Sequence, residues 1–398
     1  MPSRPPPEPA GEAPGGSRGP GSALPLLQLT TFTSTLDRFA MPPMLVAMSR
    51  DLDVPLTTVV HAAGAYFLVY GLSQPLWGAV SDRLGRVRTM RLTLLLAGLC
   101  TLASAVVWSP LLLVVSRGLA GGFFGAAYPA TLIYVGDTVP AERRQTDITR
   151  LMVGVATGTA LASLGAGLLA DLVTWRAAFV VTGIASLVLV VLLRRLPEPD
   201  LARPSSPWEP LRQIGRSPIT LLVLLFAFTE GLVLLGALTL LPPAIESAGS
   251  TAAVAGAVTA AYGVAVYAGS RLVGRLARTW HPAWLILGGA LAALLGCLLL
   301  VVSRAPAMGI VVAVLLGLAW TGMHSSLQTW ATELLPAARA SVVSLFAGSL
   351  FVGSSLGAVL VADLADAGRY AVVYAAYAAL AVPLGLAATA TRRRWVRP

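Results

Sequence analysis

Lysine is absent from the 398-residue sequence; all 28 basic side chains are arginines. A Walker A phosphate loop and a Schiff-base site both need a lysine amine, so a nucleotide-driven pump within this chain is not expected. Cysteine is nearly as scarce. Cys100 and Cys297 both fall inside apolar runs without CxxC spacing, which indicates neither a disulfide framework nor a thiolate metal site. The three histidines, His61, His281 and His324, show no ligand spacing such as HExxH, so no enzyme activity, metal or cofactor is expected. Charged residues make up only 12% of the chain, against about a quarter in a soluble domain.

Apolar residues fill that gap. They make up 56% of the sequence, and the mean hydropathy is +0.77, which points to a polytopic all-α membrane protein surrounded by lipid bilayer. The hydrocarbon core needs about 20 apolar residues per helix, and on that ruler twelve spans fall at roughly 24–47, 56–80, 90–108, 110–135, 148–170, 176–194, 218–244, 251–272, 283–303, 306–331, 341–362 and 370–391. A net charge of +10 invites a nucleic-acid reading. The arginines are scattered over short loops rather than gathered on one face, so no nucleic-acid partner is expected.

The arginines also orient the chain. With the N-terminus inside, 22 lie in inner segments and 4 (Arg50, Arg176, Arg304 and Arg369) in outer loops, which predicts cytoplasmic N- and C-termini in a plasma (inner) membrane. Residues 1–22 are rich in Pro, Gly and Ser and are expected to form a disordered tail. A first six-helix bundle is expected over 23–194, a Pro- and Arg-rich linker over 195–217, a second bundle over 218–391 and a basic tail over 392–398. A weak internal repeat supports the division. Asp137-Thr-Val-Pro140-Ala-Glu-Arg143 recurs as Glu333-Leu-Leu-Pro336-Ala-Ala-Arg339, and Leu169-Ala170-Asp171-Leu172 as Val361-Ala362-Asp363-Leu364.

Between the second and third spans lies Gly78–Arg91, GAVSDRLGRVRTMR, with five charges in fourteen residues. Through Gly78, Asp82, Arg83, Gly85 and Arg86 it resembles the Gly-x-x-x-Asp-Arg-x-Gly-Arg loop of the major facilitator superfamily. The resemblance implies two pseudo-symmetric six-helix halves with a substrate site near the midplane. It also implies that this loop latches the halves through the start of span 11, near Ser341, in the outward-facing state. Arg117-x-x-x-Gly121-Gly122 resembles the family's span-4 motif, whose arginine is tied to proton movement. Span 5 departs from the Gly-Pro-x-x-Gly-Gly pattern of drug–proton antiporters. It reads Ala162-Ser163-Leu164-Gly165-Ala166-Gly167, small throughout but without the proline.

Charged groups at membrane depth are costly and mark function or ion pairs. Asp37 and Glu230 are the acids so placed, and with Arg117 they are the proton-coupling candidates. Asp37 has a second reading as the partner of Arg38 or Arg117, and Arg117 as a snorkelling side chain. Trp320, His324 and Gln328 recur at four-residue steps on one helical face. With Ser34, Tyr128 and Thr131 they are the candidate cavity lining. The resemblance implies a monomeric secondary transporter that exports small, cationic or amphipathic compounds by proton antiport. A sugar, amino-acid or other metabolite permease of the same fold is the alternative, and a non-transporting receptor is disfavoured by the short loops.

Overall fold

The computed structural model describes residues 23–199 and 208–396. The expected N-terminal tail, linker residues 200–207 and residues 397–398 lie outside them. The first half holds α1 (Leu24–Ala40), α2 (Leu45–Asp51), α3 (Leu56–Leu84), α4 (Arg86–Val106), α5 (Pro110–Phe124), α6 (Ala127–Thr138), α7 (Ala141–Leu172) and α8 (Trp175–Leu192). A short helix, α9 (Trp208–Gly215), stands in the linker. The second half holds α10 (Pro218–Glu230), α11 (Gly236–Glu246), α12 (Ala252–Leu276), α13 (Pro282–Val302), α14 (Pro306–Ala319), α15 (Ser325–Leu334), α16 (Arg339–Val359), α17 (Ala362–Asp366) and α18 (Tyr370–Arg394). Proline opens α5, α10, α13 and α14, where its missing amide costs nothing. Large apolar side chains such as Leu76, Leu111 and Val302 point outward, as lipid-facing positions require.

Among the described residues, eleven helical segments are long and apolar enough to cross a membrane. The first expected span is not among them because Pro42 and Pro43 break it: α1 ends after 17 residues and a 3-10 turn, Pro42–Met44, leads into α2. The broken stretch still runs alongside most of α7. Gln28 donates to the carbonyl of Arg150 within α7, and Asp51 accepts from the indole of Trp175 (3.1 Å) and from Arg176 just past the end of α7. That bond to Arg176 holds the Asp51 carboxyl below its usual range, against the opposing effect of partial burial.

Every third crossing is interrupted. The first breaks at Pro42–Met44 and the fourth at Gly125–Ala126, where α5 passes into α6. The seventh and tenth contain π-helical turns, Gly231–Leu235 and Trp320–His324. The other crossings run through as single helices. Broken helices free backbone groups and turn side chains inward, which is where discontinuous spans of membrane carriers form their sites.

The halves touch along two seams, α3 against α16 and α7 against α12. Small residues bring the backbones together: a Cβ on Gly71 would lie 2.7 Å from the Gly348 carbonyl oxygen, and one on Gly167 would lie 2.4 Å from that of Ala252. Each seam ends in a carboxylate clamp at the end of the bundle away from the arginine-rich loops. Asp171 of α7 accepts from the Ala253 amide at the start of α12 (2.8 Å). Across the molecule, Asp366 accepts from the Leu56 amide at the start of α3 (2.7 Å) and Asp363 from the Thr57 hydroxyl (3.2 Å). An acid at a helix N-terminus meets the favourable end of its dipole. This end is therefore closed. Gly167→Val should force α7 and α12 apart, costing the closed arrangement about 1–3 kcal/mol. Labelling of a cysteine placed at Thr57, with Cys100 and Cys297 replaced by serine, should then rise; unchanged labelling would show that the seam absorbs the extra volume.

A charged seam as candidate functional site

The acid and arginine singled out in the first and fourth crossings meet. Arg117 Nη2 lies 2.8 Å from Asp37 Oδ2 and Nη1 lies 3.3 Å from Oδ1, with Asp37 0% and Arg117 1% exposed. The hydroxyls of Thr101 and Thr182 donate to Oδ1 at 3.2 and 3.3 Å. The rings of Tyr66 and Phe179 cover the guanidinium at 4.7 and 4.5 Å. All these partners belong to the first half, so the pair lies inside that half, and Arg117 does not snorkel toward an interface.

The second half brings Glu230 and His324 together, 3.2 Å apart between Oε2 and Nδ1. Trp320 stacks on the imidazole at 3.8 Å between ring centres. The other carboxylate oxygen of Glu230, Oε1, is buried without a hydrogen-bond partner among the described residues. Each member of the pair borders a π-helical turn, Glu230 immediately before one and His324 at the end of the other. Gly231 lets the seventh crossing pack closely on α16, since a Cβ there would lie 1.8 Å from the Leu350 carbonyl oxygen.

The expected lining separates into two kinds. Ser34 donates to the Phe124 carbonyl (3.5 Å) and Thr131 to that of Tyr128 (2.7 Å), so both hydroxyls are spent on backbone. Tyr128 and Gln328 are half-buried, and Tyr128 donates to the Met152 thioether. Arg38, which the sequence offered only as a partner for Asp37, stands elsewhere. Its side chain leaves α1 at an angle to that of Asp37 and reaches Tyr70 of α3 and Phe351 of α16, across the seam.

At the arginine-rich end, the contacts of the signature loop lie within the first half and the linker. Arg86, 7% exposed, donates to Asp82 (2.5 Å), Asp137 (3.1 Å) and Ser81 (3.1 Å). Gly85 turns the chain at φ +105°, and a Cβ there would lie 2.7 Å from the Glu198 carboxylate. That carboxylate accepts from the amides of Val87 and Arg88, both at 3.0 Å, and so occupies the N-terminus of α4. Arg83 is exposed, and nothing lies within 4 Å of a Cβ on Gly78. The repeat's other acid, Glu333, pairs with Arg392 at 2.9 Å inside the second half.

Known proteins resemble this chain over parts of its length in sequence and over most of it in fold. The sequence is 30% identical over 260 residues to the 3-(3-hydroxy-phenyl)propionate transporter of Escherichia coli (strain K12), covering 63% of each chain. It is 29% identical over 137 residues to Multidrug resistance protein D of the same organism, covering 34% of this chain and 35% of that one. The chain thus spans less than two-thirds of the length of these curated relatives. A crystal structure of a bacterial homolog to the human lysosomal transporter Spinster, in an inward-facing and unoccupied conformation, superposes with a TM-score of 0.79 at 17% identity, covering 96% of this chain and 100% of that one. The family model for the Major Facilitator Superfamily matches residues 27–358 and 233–397. With its broken crossings, paired halves and signature loop, this multi-pass membrane protein belongs to the major facilitator superfamily of transporters.

Proposed function

We propose that the chain is a proton-coupled exporter of small amphipathic compounds, working by alternating access as a monomer in a plasma membrane with both termini cytoplasmic. The observation that carries the reading is the His324–Glu230 pair, a titratable couple at membrane depth with one carboxylate oxygen unpartnered. One proton shared between Nδ1 and Oε2 would neutralise the carboxylate. Its loss would leave a buried charge that favours a different packing of the halves. Asp37 is the weaker candidate, because Arg117, Thr101 and Thr182 already occupy both of its oxygens. In this reading, Asp37–Arg117 holds the first half rigid while the second half carries the proton.

The direction draws its support from Multidrug resistance protein D among the relatives. The second reading is proton symport of a metabolite, favoured by the unpaired Arg38 and by the relative named for 3-(3-hydroxy-phenyl)propionate. An anion and a proton attract in one site, whereas a cation and a proton compete. Proteoliposomes loaded with ethidium or with 3-(3-hydroxyphenyl)propionate and a pH-sensitive dye separate the two. Outward movement should acidify the lumen, because protons enter as substrate leaves. Alkalinisation would replace antiport by symport, and no protein-dependent movement of either probe would end the export reading for these classes.

A further inference from the structure

We propose that Arg38 is the anchor for the carboxylate of an aromatic substrate, so that the central site selects aromatic organic anions. The proposal rests on the carrier reading above but not on its direction. Arg38 is half-buried at the middle of the seam. Of its five N–H donors, one reaches the Tyr70 hydroxyl at 3.2 Å and one the Thr35 hydroxyl at 3.5 Å. Its Nε is buried without a partner, and no carboxylate lies within 4.0 Å among the described residues. Asp37 is its chain neighbour, but that carboxylate points into the first half and is already shared by Arg117, Thr101 and Thr182.

Asp37 is spent on Arg117 and Glu230 is bonded to His324, so Arg38 is left without a carboxylate of its own among the described residues, in a setting where an unpaired charge is expensive. Such a group is stable when its counter-ion arrives from outside the fold. The guanidinium fork matches a carboxylate in a bidentate fashion, which an ammonium would not do.

The surroundings specify the rest of the ligand. The rings of Phe39, Tyr70 and Phe351 stand 5.0, 5.4 and 5.3 Å from the guanidinium carbon. Phe351 comes from the second half and sits edge-on to Tyr70 at 4.5 Å. A carboxylate on Arg38 would therefore hold its own ring against faces supplied by both halves. These groups are on spans that must separate and re-pack during transport, so an occupant there bridges the moving parts.

Equilibrium binding to purified protein in nanodiscs, with no gradient imposed, tests this. Three probes share one ring system: 2-naphthoate, 2-naphthamide and 2-naphthylmethylammonium. The naphthoate should bind roughly tenfold or more tighter than the amide, and the ammonium most weakly. Arg38→Gln should erase the preference for naphthoate over naphthamide, while Arg38→Lys, which keeps the charge but loses the fork, should retain part of it. Phe351→Ala should weaken naphthoate and naphthamide alike. Equal binding of the three probes to the wild-type protein, no binding of naphthoate at millimolar concentration, or a preference that survives Arg38→Gln overturns the assignment. If Arg38→Gln does not fold, the wild-type series and Arg38→Lys still decide. A carboxylate preference with no proton movement in proteoliposomes would leave this site standing and remove the coupling reading; the reverse pattern would do the opposite.

Discussion

Asp37→Asn should destabilise the folded protein by about 3–5 kcal/mol, the cost of leaving one member of a buried ion pair alone. The size follows from the surroundings. Arg117 is 1% exposed and boxed between Tyr66 and Phe179, so its charge has neither water nor a second acid to turn to. Thr101 and Thr182 can serve an asparagine oxygen, but they cannot neutralise a guanidinium. Arg117→Gln alone should be comparably harmful, because it strands the carboxylate. The double variant Asp37→Asn/Arg117→Gln should recover much of the loss, since both charges are gone. Thermal melts of the four proteins in one detergent measure this. If Asp37→Asn melts like the wild type yet abolishes gradient-driven transport, Asp37 is a proton carrier after all, as the sequence alone suggested.

Glu230→Gln should have its largest effect on coupling rather than on folding. Glutamine keeps the shape and can still bond His324, but it cannot lose a proton. Gradient-driven substrate movement should fall by roughly 5–150-fold, the range of coupling free energies between linked sites, while substrate exchange without a gradient stays near the wild-type rate. His324→Asn should shift transport in the same direction. The paired measurement in proteoliposomes matters, because a variant that merely misfolds loses both activities together. Equal loss of exchange and gradient-driven movement would make the pair a structural bond.

Much of this was legible from hydropathy, because spanning lipid forces about 20 apolar residues into each helix. The break in the first crossing could be anticipated from Pro42 and Pro43. The π-helical turns at Gly231–Leu235 and Trp320–His324 could not, since the packing of Gly231 on Leu350 and of Met323 on Gly289 of α13 depends on residues distant in sequence. Glu230 and His324 were each noticed but not joined, as 94 residues separate them. Arg38 was misjudged for a geometric reason. Adjacent in sequence, Asp37 and Arg38 invite a reading as one pair. Neighbouring positions on an α-helix point about 100° apart, which sends one side chain into the first half and the other across the seam. Glu198 was hidden for a different reason: a lone acid in a proline-rich linker gives no hint that it folds back onto the start of α4.

The clamps at the closed end give the molecule the logic of a homodimer fused into one chain. Each half offers carboxylate at or just past the end of its fifth crossing and receives the other's on the first turn of its second crossing. Such an interface is isologous: whatever one side does to the other is returned. The charged centre has no such reciprocity, since the guanidinium comes from one half and the acid–imidazole pair from the other. Opening and closing are thus shared equally between the halves, whereas the substrate meets two unlike faces, and the same rocking motion presents it with a different chemistry on each side.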